Sequence, residues 1–186
     1  MPYPHSLHIS ERSLPDGVTL NPRHGGQLIE IILLYKELSH DIERDVQQIE
    51  KSRKLETPML TGNDDYTLQR EIDNALNEAV ARMQAYLLLP SPYVSRISTD
   101  HADMWLEKNV FLALPAKWPP HLIRPLRDAV HNYIVHSVVL YFMQLNLPND
   151  PYTVICDQKK ERAYNDINAH INARLGPTHI HPTFLG

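Results

Sequence analysis

The sequence predicts a mainly α-helical fold, a four-helix bundle-like domain with a short β-hairpin, an extended N-terminal arm and a C-terminal tail. Three observations predict it. Apolar residues recur at three- and four-residue spacing in four separate stretches, the period of a helix with one buried face. The 186 residues include only 6 glycines against 15 prolines, and most prolines fall where those stretches join. With 42% hydrophobic and 22% charged residues, the composition is that of one globular domain.

Residues 1–26 show no sustained period and carry Pro, Gly and three histidines, His5, His8 and His24, so they read as an extended arm. A single helical domain is expected over 27–176. Its first helix covers about 27–55, where Leu28, Ile31, Tyr35, Leu38, Ile42, Val46 and Ile49 keep one stripe facing one way. The other face mixes Glu37, Asp41, Glu43, Arg44, Lys51, Arg53 and Lys54, a pattern suited to a long hairpin or to a partner helix.

A second helix is expected over about 64–89, capped by Asn63 or Asp64, with Leu68, Ile72, Leu76, Ala79, Val80, Met83 and Leu87 on one side. It stops at Pro90-Ser91-Pro92. The stretch 93–114 is rich in aromatic and branched residues and reads as a hairpin around the polar run Asp100-His101-Ala102-Asp103. A helical turn over 103–113 is the other reading, since Met104, Trp105 and Leu106 fit either.

The third helix is expected over about 120–147, with Pro125 in its first turn or at a kink, because a proline deeper inside would cost about 3 kcal/mol. Its apolar set, Val130, Tyr133, Ile134, Val138, Val139, Tyr141, Phe142 and Leu145, covers most of the circumference and marks the most buried element. Asp150-Pro151 opens a fourth helix over about 151–175, with Tyr164, Ile167, Ile171 and Leu175 facing inward. Residues 177–186 remain as a tail.

Several classes of function are disfavoured by composition. A formal charge of −4 with no Lys/Arg block argues against nonspecific wrapping of nucleic acid. Cys156, the one cysteine, can form neither an internal disulfide nor a thiolate zinc site alone, so a cytoplasmic location is the default. The N-terminal stretch lacks the cationic and apolar regions of a secretory signal. Between Asp128 and Asp150 no residue is formally charged, yet His131, Asn132, His136, Gln144 and Asn146 make this a buried helix of a soluble domain rather than a membrane span.

The common nucleotide, dinucleotide, hydrolase and metalloprotease motifs are absent. Gly25-Gly26 separates the arm from the first helix more plausibly than it holds phosphate. Histidine, at 11 residues, is the unusual count. His131 and His136 lie five apart, about 140° round a helix, and cannot serve one metal from one face. Asp128 and His131 can share a face, but two ligands are too few. His179 and His181 alternate in the tail and, if it is extended, form a two-ligand pincer, but no carboxylate or cysteine lies near them in sequence to complete a site; Asp100, His101 and Asp103 could hold a cation from a turn, where ordinary turn chemistry equally accounts for them. Cys156 near a helix start invites comparison with an activated nucleophile, but no local motif supports that over a buried thiol. Trp118, Tyr133, Tyr141 and Phe142 read as core rather than as a ligand box. No catalytic, cofactor-binding or metal-binding residue is therefore expected, and no cofactor.

The order of elements goes further. An acid-started helix DDYTLQREIDNALNEAVARMQAYL, a stretch ending LPAKWPPHLIRPLRD, an apolar helix AVHNYIVHSVVLYFMQLNLPND and a final helix PYTVICDQKKERAYNDINAHINARLG together resemble the head-tail connector (adaptor, neck) proteins of tailed bacteriophages and prophages, in particular the small Mu-like joining proteins. The resemblance covers roughly two thirds of the chain from Asp64 onward and is a pattern of helices and breaks; the long first helix is an addition to it. It implies a structural, non-enzymatic subunit of a homo-oligomeric ring in the virion neck. Portal and tail proteins would be its partners, with no sequence-specific nucleic acid and no membrane, and it would pass from the host cytoplasm into the virion. The arm and the tail, with Ile180, Phe184 and Leu185, are the segments that could reach a neighbour. Two other classes compete: a regulatory adaptor whose first helix pairs with a foreign helix, and a helical metal-binding protein using the histidines.

Overall fold

The computed structural model describes residues 27–61, 65–83, 93–97, 106–115 and 117–173. The expected arm 1–26 and tail 177–186 lie outside them, as do the 100–103 turn, His179, His181 and Leu175. Among the described residues the chain is mainly helical, with four α-helices and one small antiparallel sheet. No helix among them is long and apolar enough to cross a membrane.

The first expected helix begins eight residues late. Gln27–Leu34 forms strand β1, and only then does helix α1 run from Tyr35–Arg53. The local sequence QLIEIILL carries both periods. In the strand, Ile29, Ile31 and Leu33 are buried on alternate positions while Ile32 is 42% exposed. A helical stripe would have left part of this run facing water, whereas pairing with another strand buries three aliphatic side chains and satisfies the backbone at once. That partner is β3, Leu106–Leu114, in register from Gln27↔Leu114 to Leu34↔Glu107. Strand β2, Tyr93–Ile97, pairs antiparallel with the other edge of β3, so the expected hairpin pair is present inside a three-stranded sheet of order β1-β3-β2. Val110, Leu112 and Leu114 point into the core beside the β1 set.

Helix α1 buries Leu38, Ile42, Val46 and Ile49, the expected stripe after Tyr35. It ends in a Schellman motif: Lys54 takes a left-handed conformation at φ 53°, Leu55 N–H donates to the Glu50 carbonyl at 3.1 Å and Lys54 N–H to Lys51 at 3.3 Å. Helix α2, Asp65–Arg82, starts on its acidic residue and buries Leu68, Ile72, Ala75, Leu76, Ala79 and Val80; the expected extension to Leu89 lies beyond the described residues. A short 3₁₀ turn, Pro120–Leu122, precedes helix α3, Ile123–Asn146, so the third helix starts three residues later than expected and Pro125 sits in its first turn. Helix α4 occupies Tyr152–Asn172, opened by Asp150, whose carboxylate accepts the Tyr152 N–H at 2.7 Å.

Helix α3 is the hub: α1, α2 and α4 all pack on it, as does β1. Tyr133 is fully buried and Phe142 2% exposed, and Tyr141 meets Phe142 edge to face at 5.4 Å. Trp118 is fully buried, with its indole N–H donating to the His170 carbonyl at 2.8 Å, which ties the end of α4 to the loop before α3. One member of the expected core set is outside it. Leu145, near the end of α3, is 64% exposed although Phe142 and Met143 before it are buried and Leu147 after it packs against the core, so it lies on the outward face of the last turn.

Candidate functional site

Two polar clusters and one apolar corner stand out on this frame. The larger cluster lines an open groove of about 620 Å³ between the first turns of α1 and the first half of α3, bounded by Lys36, His40, Asp41, Arg127, Asp128 and His131 among others. Asp41 is its centre. One carboxylate oxygen meets His131 Nε2 at 2.9 Å, and the other accepts from Arg44 at 2.7 Å with His40 3.7 Å away. Burial pushes the Asp41 carboxyl up, but His131, Arg44 and His40 together outweigh it and hold the group below its ordinary range. Asp128, one turn from His131, faces Arg127 at 3.2 Å and Arg124 at 3.9 Å.

The groove has an Asp-His pair, but among the described residues no lining hydroxyl or thiol that the imidazole could activate. Asp41 and Asp128 are already met by arginines. A pair so engaged joins α1 to α3 across 90 residues of sequence. Asp128 and His131 do share one groove, as their spacing predicts, and His136 is elsewhere, half-buried near Lys159 and Asp45. Burial pushes the His136 imidazole down, Lys159 adds to the shift and Asp45 opposes it. Among the described residues no group of three or more His, Cys, Asp or Glu side chains could hold a metal ion. Cys156 is buried on the inner face of α4, and burial pushes its thiol up, away from the activated thiolate considered from its position.

The second cluster clamps α2 to α4 over α3. Glu78 accepts from Arg82 at 2.9 Å and from Lys160 at 3.1 Å. Arg82 also lies 4.2 Å from the centre of the Tyr164 ring, and both Arg82 and Lys160 sit over the Tyr133 ring, at 5.6 and 5.4 Å. The Tyr133 hydroxyl is buried beside Glu78 and Ser137, outside regular hydrogen-bond geometry to either. Burial first, and then the neighbouring Glu78 carboxylate, push that phenol above its ordinary range. Sequence reasoning had Tyr133 as a plain core residue and did not pair Glu78 with Lys160, because 82 residues separate them and neither lies in a motif.

The corner is formed where α3 turns into α4. Leu145, Val154 and Ile155 are 64, 59 and 43% exposed there, and Arg53 from the end of α1 grips Asp150 through two hydrogen bonds of 2.7 and 2.9 Å. Leu147 and Asp150 carbonyls accept the Asp150 and Thr153 N–H groups and close the turn. No family model matches the chain, and neither a curated protein nor a solved structure is found to be similar to it.

Proposed function

We propose that the chain is a structural subunit of a phage or prophage head-tail connector, one copy of a ring that joins portal to tail. The observation that carries this reading is the order of helices behind the resemblance: an acid-started α2, the LPAKWPP break, a central apolar α3 and an amphipathic α4 packed back on it. The strand β1 and helix α1 stand in front of that pattern as an addition. A regulatory adaptor that lends its first helix to a foreign partner fits less well. The apolar stripe of α1, Leu38, Ile42, Val46 and Ile49, is already buried within the domain. Both polar clusters are engaged as inter-helix ties, which suits a scaffold whose surfaces, rather than a reaction centre, carry the function.

The test is co-expression with the portal protein encoded in the same genome, followed by electron microscopy of the purified complex. Rings of this chain seated on the portal are expected. A chain that never associates with the portal, in a genome where its gene neighbours encode neither capsid nor tail proteins, would falsify the reading.

A further inference from the structure

Helix α3 carries two histidines in opposite surroundings. His131 Nε2 lies 2.9 Å from the Asp41 carboxylate of α1, so a proton added there meets a negative charge. His136, five residues on, is half-buried and makes no hydrogen bond or ion pair among the described residues. Three elements supply the charged and titratable groups around it: Asp45 from α1, Lys159 from α4, and His131 from α3 itself. Asp45 is already met by Arg44 at 3.3 Å, whereas Lys159 bonds the neutral Tyr152 hydroxyl at 3.2 Å and keeps its charge unmatched by that contact. A proton on His136 therefore creates a cation partly stripped of water, beside a lysine, with its opposing carboxylate shared.

A base held below its ordinary value binds fewer protons in the folded state than in the unfolded one, so stability is lost as pH falls below about 6.5. The loss falls on the first part of α4. Residues 151–159 lie between the Arg53–Asp150 tie and the Glu78–Lys160 clamp, and of the four buried residues of α4 only Cys156 belongs to them. Lys159 ends this stretch, so repulsion from His136 acts on it directly. Cys156 is 2% exposed, and its thiol feels the same Lys159 and Asp45 that surround His136.

We propose that His136 is an acid-triggered release for the start of helix α4: protonated in mild acid, it drives Lys159 off α3, opens residues 151–159 and uncovers Cys156. The device belongs to the fold of this chain and does not depend on the connector reading.

Thiol labelling of the full chain with 4,4′-dithiodipyridine tests it. The rate at each pH is divided by that of the urea-unfolded chain, so that titration of the thiol itself cancels. Cys156 is the one cysteine, and every label reports on it. The normalised rate is expected to rise roughly threefold or more between about pH 7.5 and about pH 5.5, with pH-corrected hydrogen exchange across α2 unchanged. His136→Asn should remove the rise, Lys159→Gln should reduce it and Asp45→Asn should enlarge it. A rate that does not rise, or a rise that survives His136→Asn, overturns the proposal. A matching loss of protection in α2 overturns it too, since the event would then be global unfolding. Should His136→Asn weaken the fold at both pH values, the two charge variants decide: opposite changes support the release, and changes of the same sign refute it.

Discussion

Helices α1 and α4 both pack on α3, and they do so by different chemistry. The inner face of α1 is four aliphatic side chains, Leu38, Ile42, Val46 and Ile49, each at most 5% exposed. The buried set of α4 is smaller in volume, Cys156, Ala163, Ile167 and Ile171, and its remaining inward positions are filled by Lys160 and Tyr164 from the Glu78 clamp. Small side chains let two helices approach closely, and α4 makes the most extensive packing with α3 of any helix. Thus α1 is held chiefly by burying large apolar groups. Helix α4 is held by close approach, fastened at its midpoint by a charged cluster and at its end by the Trp118 indole.

The largest expected effect comes from emptying the hub that both helices share. Phe142→Ala or Tyr133→Ala should cost about 3–5 kcal/mol, and Ile42→Ala on the α1 side about 2–5 kcal/mol, read from urea unfolding midpoints. Equal small losses at these sites would mean that the core relaxes around them and that α3 is not the organising helix.

Close approach makes the opposite change diagnostic on α4. Ala163→Leu should destabilise by about 1–3 kcal/mol, since a larger side chain forces the helices apart. A neutral or stabilising result in thermal melts would show a gap at that contact.

The clamp should appear in the pH dependence. Burial alone would raise the Glu78 pKa, but Tyr133, Arg82 and Lys160 bring it below the ordinary 4.5. A depressed carboxylate contributes stability that is present above its unfolded value and lost as pH falls through the folded one. The melting temperature should accordingly drop as pH falls below about 4.5, and Glu78→Gln should flatten that part of the profile. An unchanged slope in the variant would assign the acid sensitivity to other carboxylates, Asp41 first among them.

The smallest effect is expected three residues along the same helix from Phe142. Leu145→Ala should change stability by no more than about 0.5 kcal/mol, because the side chain is 64% exposed and leaves no cavity. A loss comparable to that of Phe142→Ala would place Leu145 inside the fold and remove the apolar corner.

Much of this architecture was legible from periodicity. The α1 stripe after Tyr35, the inward set of α2 and the all-round apolar character of α3 are local patterns, written in spacing that a helix turns into a face. The strand β1 was not, because Leu28, Ile31 and Tyr35 extend the helical stripe backwards just as well as Ile29, Ile31 and Leu33 define a strand. Eight residues that satisfy both periods are decided by whichever partner is available, and β3 supplied it. The polar clusters were not legible either. His131 was noticed as a histidine and Asp41 as one charge on a mixed face, but their bond depends on how α1 crosses α3.

What the sequence by itself determined about this protein is the mainly helical class, the order of its helices, the proline-marked joints and the identity of the hub. These follow from short-range spacing and backbone sterics, which act within a few residues. Tertiary structure alone decided that residues 27–34 extend a sheet, that Glu78 meets Lys160 and Asp41 meets His131, and that Leu145 faces solvent while Phe142 does not. Those outcomes depend on which surfaces meet once the chain has collapsed, and contacts 80 or 90 residues apart leave no trace in the local spacing of either partner.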